Sequence, residues 1–161
     1  MMAQVTDMLV RRARPVDAMR LRTILHDTHE STWLPQVTPA AAQLFREEDR
    51  PAAYVALRGS KFWLAELHGV VVAFVDWEAD FVNALHVSSS HRRIGAGSLL
   101  MDKAEGEIAK AGYHVARLET HTFNTRSRAF YSARAYRELD RFQDTEWNSG
   151  LTTLVLAKAL G

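Results

Sequence analysis

The stretch Val87-Ser88-Ser89-Ser90-His91-Arg92-Arg93-Ile94-Gly95-Ala96-Gly97-Ser98-Leu99-Leu100 decides how this chain is read. It joins the end of a predicted strand, Phe81 to Val87, to a segment from Ser98 to Ala111 in which Leu100, Ala104, Ile108 and Ala111 recur at helical spacing. Gly95 and Gly97 leave the backbone unshielded, so successive N–H groups can converge on an anion in front of a helix N-terminus. Arg92 and Arg93 add positive charge at the rim of that turn. A glycine pair before a helix serves equally well as an ordinary tight connection, and taken alone the stretch leaves both readings standing.

On either side of the turn the pattern is that of a mixed α/β chain. Met8 to Ala13 reads as a strand, and Arg14-Pro15-Val16-Asp17 opens a helix with proline in its first turn and an acid at its positive pole. Ala18, Leu21, Ile24, Leu25 and Thr28 carry that helix to a loop through Trp33, Leu34 and Pro35. Thr38-Pro39 caps a second helix ending near Asp49. Phe62 to Leu67 and Val70 to Trp77 form a hairpin about His68-Gly69. Beyond the central helix, which Gly112 stops, come a strand over Val115 to Thr122, a short helix over Asn124 to Arg134, and a last strand over Leu151 to Leu156. The order β-α-α-β-β-β-α-β-α-β-β lacks the even alternation of a dinucleotide-binding βαβ fold.

Composition narrows the function classes. The 161 residues suit one domain over 1–161 with one core. Twenty basic against 19 acidic residues, a net charge of +1, give no global field that favours nucleic acid or an anionic membrane. Any attraction for anions is therefore local. The absence of cysteine excludes disulfides, thiolate metal sites and a cysteine nucleophile, and seven histidines without ligand spacing predict no metal. The start Met1-Met2-Ala3-Gln4-Val5-Thr6-Asp7-Met8 is not built like a secretory leader, and no run approaches the ~18 apolar residues of a membrane span. The expectation is a soluble, cytoplasmic protein.

A second constellation changes the weight of the first. After the strand that carries Leu118 and Glu119 comes Asn124-Thr125-Arg126-Ser127-Arg128-Ala129-Phe130-Tyr131. The pairing of the two stretches resembles the Gcn5-related N-acetyltransferase (GNAT) superfamily. In that superfamily V-x-P-x-x-R-x-x-G-x-G meets the pyrophosphate of acetyl-CoA, and N-x-x-A-x-x-x-Y follows the next strand. Val87, Arg92, Gly95 and Gly97 match the first motif; Asn124 and Tyr131 match the second, with Ser127 at its small position. Ser89 stands where the family often has proline, and Ala135-Tyr136 replaces its usual Gly-Phe. Alanine at such a helix exit reaches the left-handed conformation only at roughly 1 kcal/mol.

The resemblance implies an acyl-CoA N-acyltransferase fold of the α+β kind, a mostly antiparallel sheet splayed at the cofactor site with helices on both faces. It implies acetyl-CoA as acetyl donor, with Leu85, His86 and Val87 along the acetyl and pantetheine arm, and Arg92, Arg93, Ile94, Gly95, Ala96, Gly97 and Ser98 around the pyrophosphate. Asn124 is a pantetheine ligand, a helix cap, or both. Tyr131 is the acid for the departing thiolate, since a phenol with a reference pKa of ~10 is a neutral donor at neutral pH. The N–H of Val87 is the oxyanion donor.

The group that deprotonates the incoming ammonium is left open. Glu119 resembles the acid used with tyrosine by ribosomal-protein N-terminal acetyltransferases of this superfamily, yet a surface strand glutamate paired with Arg117 explains it as well. His121, Glu78 and Asp80 compete with it. His29, Glu30 and Trp33 are expected beside Glu119 and His121 in the acceptor pocket, although Trp33 also suits a core or lid role. Trp63 and Trp77 read as core, His86 and His91 also as structural or rim residues. The expected enzyme transfers acetyl directly to a primary amine, a small molecule or a peptide, as a possible homodimer. The competing reading is a module that binds acetyl-CoA without turnover. RNA binding through Arg92, Arg93, Arg126 and Arg128 lacks an aromatic stacking platform.

Overall fold

The computed structural model describes residues 7–145 and 148–161, so the opening residues 1–6, most of the stretch tested for a leader, lie outside the described residues. Among the described residues seven strands and five α-helices follow in the order β1 (Met8–Arg12), α1 (Ala18–Thr28), α2 (Pro39–Glu48), α3 (Arg50–Arg58), β2 (Trp63–Leu67), β3 (Val70–Glu78), β4 (Phe81–Val87), α4 (Ala96–Lys110), β5 (Val115–His121), α5 (Thr125–Ala133), β6 (Arg137–Gln143) and β7 (Thr152–Ala159). They build one sheet in the order β1-β2-β3-β4-β5-β7-β6. Every neighbouring pair is antiparallel except β4 with β5.

The helices divide between the two faces of the sheet. Leu100, Met101, Ala104 and Ile108 of α4 pack with Val72, Val75, Ala116 and Leu118. Leu21, Ile24 and Leu25 of α1 and Val55 of α3 pack with Phe62, Leu64 and Phe74. Trp63 and Trp77, expected in the core, sit at its margin and are only partly buried. The ammonium of Lys103 lies 4.1 Å from the centre of the Trp63 ring, a cation–π contact that suits a half-wet indole.

The structure departs from the sequence reading at two places for local reasons. Asp49 takes φ +43, which ends α2, and its carboxylate then accepts from the N–H of Ala52 to cap α3, whose first turn holds Pro51. The second helix thus ends where expected, and α3 follows it as a helix the sequence reading did not place. The central helix begins at Ala96 rather than Ser98, because Gly95 at φ +89 is its N-cap. His68 and Gly69 both have positive φ, as a two-residue hairpin turn between right-twisted strands requires.

The parallel β4–β5 ladder pairs only Phe81 with Arg117 and Val82 with Leu118. Beyond Val82 the two strands part, while β4 stays paired with β3 as far as Val87 opposite Ala73. The opening lies directly before the glycine turn.

Candidate active site

The turn after β4 is shaped by two left-handed residues, Arg93 at φ +64 and Gly95 at φ +89. Within α4 the first helical acceptor bond is Leu99 N–H to Gly95 C=O, so the N–H groups of Ala96, Gly97 and Ser98 have no acceptor inside the helix. They crown a 15-residue helix, where an anion is favoured. A Cβ on Gly97 would sit 3.4 Å from Phe130 Cζ and 3.8 Å from Leu85 Cδ2, in a space that glycine leaves open between β4 and α5. Ser89 anchors the turn to α1 by donating its N–H and hydroxyl to the carboxylate of Asp27, both at 2.8 Å. Proline at that place has no N–H to give. Arg92 reaches Thr32 Oγ1 at 3.4 Å, and burial lowers its pKa.

Backbone direction follows from the ladder. Ser88 donates its N–H to Val72 C=O at 2.8 Å, and along an antiparallel strand alternate residues face alternate neighbours. The N–H groups of Ser88 and His86 therefore lie on the β3 side, and those of Val87 and Leu85 point into the gap beside β5. His86 lines the same cleft, but its ring is held in place: Nδ1 lies 2.8 Å from Thr28 Oγ1, and the ring stacks on Phe74 and His29 at 5.3 and 5.4 Å. Burial pushes its pKa down to about 3.

The cleft has a volume of about 810 Å³ and brings together the glycine turn, Leu85, Val87, Asn124, Tyr131, Glu119, His121, His29 and Trp33. Tyr131 comes from α5, is buried, and keeps its proton well above the ordinary phenol range because of that burial. Asn124 caps α5, its Oδ1 accepting from the N–H of Ser127 at 3.1 Å. Ser127 Oγ in turn meets Thr120 Oγ1 at 3.0 Å. Glu119 is exposed on β5, with His121 two residues on along the same strand face. Burial lowers the pKa of His121.

Two competitors of Glu119 are engaged elsewhere. Asp80 receives a bidentate ion pair from Arg117 at 2.9 and 3.0 Å, which lowers its pKa; Glu78 pairs with Arg58 at 2.7 Å. Neither lines the cleft.

The acceptor end is framed by a π-helical turn, His29–Trp33, that widens the end of α1. His29 Nδ1 lies 2.7 Å from Leu25 C=O, and a carbonyl only accepts, so Nδ1 carries the proton and Nε2 a lone pair. Burial lowers the pKa of this imidazole and keeps it neutral. Glu30 departs from expectation. Its side chain is exposed and bound by both Nε and Nη2 of Arg46 at 3.0 Å, outside the cleft, because the turn presents it to α2.

Several residues that sequence reasoning passed over also line this cleft: Thr28, Thr32, Phe45, Phe123, Arg126, Phe130, Phe142 and Asp144. Among the described residues no group of three or more His, Cys, Asp or Glu side chains could hold a metal ion, and no helix is long and apolar enough to cross a membrane.

Comparison with known proteins agrees with this geometry. A structure from Rhodopseudomonas palustris described as a GCN5-related N-acetyltransferase superposes with a TM-score of 0.79 at 20% identity, covering 99% of this chain and 98% of that one. PaiA N-acetyltransferase from Thermoplasma acidophilum, in complex with coenzyme A, gives 0.74 at 16% identity over 94% and 98% of the two chains. YncA, a putative acetyltransferase from Salmonella typhimurium with its cofactor acetyl-CoA, gives 0.69 at 18% over 96% and 95%. No curated protein matches the sequence. A splayed sheet, an anion cradle at its opening and a buried tyrosine in the same cleft describe a site for acetyl-CoA, and the acetyltransferase (GNAT) family model matches residues 18–136. The chain is thus an N-acetyltransferase of the GNAT family.

Proposed function

We propose that the protein acetylates a primary amine directly from acetyl-CoA, with both substrates bound together and no covalent enzyme intermediate. The observation that carries this reading is the parting of β4 from β5 beside the glycine turn, with Tyr131 and Glu119 lining the same cleft. When bound, acetyl-CoA supplies an acetyl group activated as a thioester. The N–H groups of Ala96, Gly97 and Ser98 hold its pyrophosphate, with Arg92, Arg93 and Ile94 around them. Leu85 and Val87 offer their gap-facing amides to the pantetheine arm, beside His86 and Asn124.

Val87 N–H is fixed in direction by the β3 ladder, so it donates to a developing oxyanion without reorganising. Tyr131 stays protonated at neutral pH and hands its proton to the leaving sulfur. Glu119 accepts the proton of the incoming ammonium, with His121 beside it. An acetyl acceptor held between His29, Trp33, Glu119 and His121 attacks the carbonyl from the open end of the cleft. The chain has no cysteine to form an acyl-enzyme, which supports direct transfer.

The same reading treats residues 1–161 as one cytoplasmic acetyltransferase domain that pairs as a homodimer. Support for pairing is the outer backbone edge of β6, which has no strand beside it among the described residues, while the Phe142 side chain lines the cleft. Light scattering on the purified chain tests it.

Calorimetry with acetyl-CoA, followed by thiol release over a panel of amines, tests the activity. Binding with amine-dependent thiol release is the expected result. Binding without release from any amine would favour a sensor.

A further inference from the structure

The acceptor end of the cleft has a composition that the transfer chemistry does not explain. Two walls of flat rings face it. One comes from the π-helical turn and α2: Trp33 meets Phe45 at 5.3 Å and His29 at 5.7 Å, and Phe45 meets His29 at 4.7 Å between ring centres. The other comes from the C-terminal half of the sheet. His121 lies opposite Thr153 on β7, and Thr153 lies opposite Phe142 on β6, so the three make one row on a single sheet face. Phe123 continues that wall, its ring 5.8 Å from His121 and nearly parallel at 14°.

Phe142 is 47% exposed and lines the cleft, so its ring is open to an apolar ligand there. Glu119 and Asp144 bring carboxylates to the same region, whereas the arginines of the cleft are Arg92 and Arg93 of the glycine turn and Arg126, close enough to Arg92 to lower its pKa. The two walls are tied together. Thr38, between Trp33 and Phe45, donates its N–H to Ser149 C=O at 2.9 Å and its hydroxyl to Asn148 C=O at 3.1 Å, in the loop that follows Phe142. That clasp joins the segments that carry the two ring walls.

Resting on the acetyltransferase reading, we propose that the acceptor is a small arylalkylamine: a primary ammonium on a planar apolar body without an anionic group. The ring lies between Trp33 and Phe45 on one side and Phe123 and Phe142 on the other. The ammonium turns toward Glu119, where both the carboxylate and the ring faces attract it. His29 and His121 are neutral and do not repel it. A substrate carboxylate would meet Glu119 and Asp144, which disfavours amino acids; a polyamine has no planar body to cover Phe142.

The test compares thiol release from acetyl-CoA with 2-phenylethylamine, phenylalanine, spermidine and a tetrapeptide with a free N-terminus. The expected kcat/KM for 2-phenylethylamine is at least tenfold above each of the others. Phe142→Ala, on an exposed edge strand, is expected to lower it at least fivefold while the Kd for acetyl-CoA stays within twofold. In calorimetry with coenzyme A already bound, 2-phenylethylamine should bind the parent protein and bind Phe142→Ala at least fivefold more weakly. A preference below tenfold over any comparator, no turnover of 2-phenylethylamine, or an unchanged Phe142→Ala overturns the assignment. If another amine is acetylated instead, the acetyltransferase reading survives alone. If acetyl-CoA itself does not bind, both fall.

Discussion

The rings of Tyr131 and Tyr136 meet edge to face, 5.5 Å between centres and 70° between planes. The Tyr136 hydroxyl donates to Glu105 at 2.9 Å, and Glu105 is held by Lys158 at 2.6 Å and Arg134 at 3.2 Å. A charged network behind α5 thus presses a second aromatic ring against the proposed acid. The position of Tyr131 depends on its ring; its chemistry depends on its hydroxyl.

Tyr131→Phe separates those two properties. The ring contacts with Phe130 and Tyr136 survive, and the proton donor is lost. Turnover is expected to fall about 10²–10⁴-fold, the usual worth of general acid catalysis, with the Kd for acetyl-CoA nearly unchanged. Steady-state kinetics with calorimetry checks it, and an unchanged kcat would remove Tyr131 from the chemistry.

Gly97 is the corresponding test of the cradle. A leucine there begins with a Cβ 3.4 Å from Phe130, an ordinary contact, and sends its remaining carbons into the space before the α4 amides. Gly97→Leu is expected to weaken acetyl-CoA binding more than tenfold while the far-ultraviolet circular dichroism stays that of the parent. Retained affinity would move the pyrophosphate elsewhere.

Ala135 carries a cost that glycine would remove. It takes φ +74 at the exit of α5, where its N–H bonds Ser132 C=O and the next N–H bonds Tyr131 C=O. A non-glycine residue there gives up about 1 kcal/mol, somewhat offset by the looser unfolded chain of glycine. Ala135→Gly is expected to raise Tm by about 1–4 °C, measurable by scanning calorimetry. A lower Tm would mean that the methyl group contributes packing worth more than the strain.

His86 gives the fold an acid-sensitive term. Its pKa falls from the ordinary 6.5 to about 3 on folding, so between those values the unfolded chain binds a proton that the folded chain refuses. Stability from this source is complete above pH 6.5 and declines as pH falls, by up to about 1.4 kcal/mol per unit. His29 and His121 act in the same direction. His86→Phe keeps a ring between Phe74 and His29 and is expected to flatten the loss of stability between pH 6.5 and 4.5 in urea titrations. Parallel slopes for the two proteins would show that His86 charges within the fold.

What could be read from the chain, and what could not, divides by physics. The glycine turn and the Asn124–Tyr131 segment were legible because each demands particular residues at particular spacings: bare backbone before a helix, a capping amide, a phenol two turns on. The α3 helix was hidden because Asp49 ends one helix and caps the next with the same residue. The element order called for a strand between α5 and the last strand but not its residues, because the segment Arg-Glu-Leu-Asp-Arg-Phe-Gln is exposed throughout and has no buried face to impose alternation. Phe142 in that strand and Asp144 just beyond it were therefore not placed in the acceptor end. Glu30 was misplaced because a π-helical turn changes which way successive side chains point without leaving a mark in the hydrophobic period.

Glu119 is the site assignment with the sharpest kinetic consequence. If its carboxylate takes the ammonium proton, kcat/KM must fall on the acid side of the pH profile with the pKa of that group in the free enzyme. Glu119→Gln keeps the size and the strand position of the side chain but cannot ionise. It is expected to lower kcat/KM about 10²-fold or more at neutral pH and to remove that acid limb, leaving only the rise set by the fraction of neutral amine, which continues up to the pKa of the amine itself. His121→Asn should lower the rate less and leave the limb in place. Were Glu119→Gln to keep the parent's acid limb, the proton would leave through another group, and the neutral His29, with Nδ1 tied to Leu25 and Nε2 carrying a lone pair, is the next residue in the cleft equipped to take it.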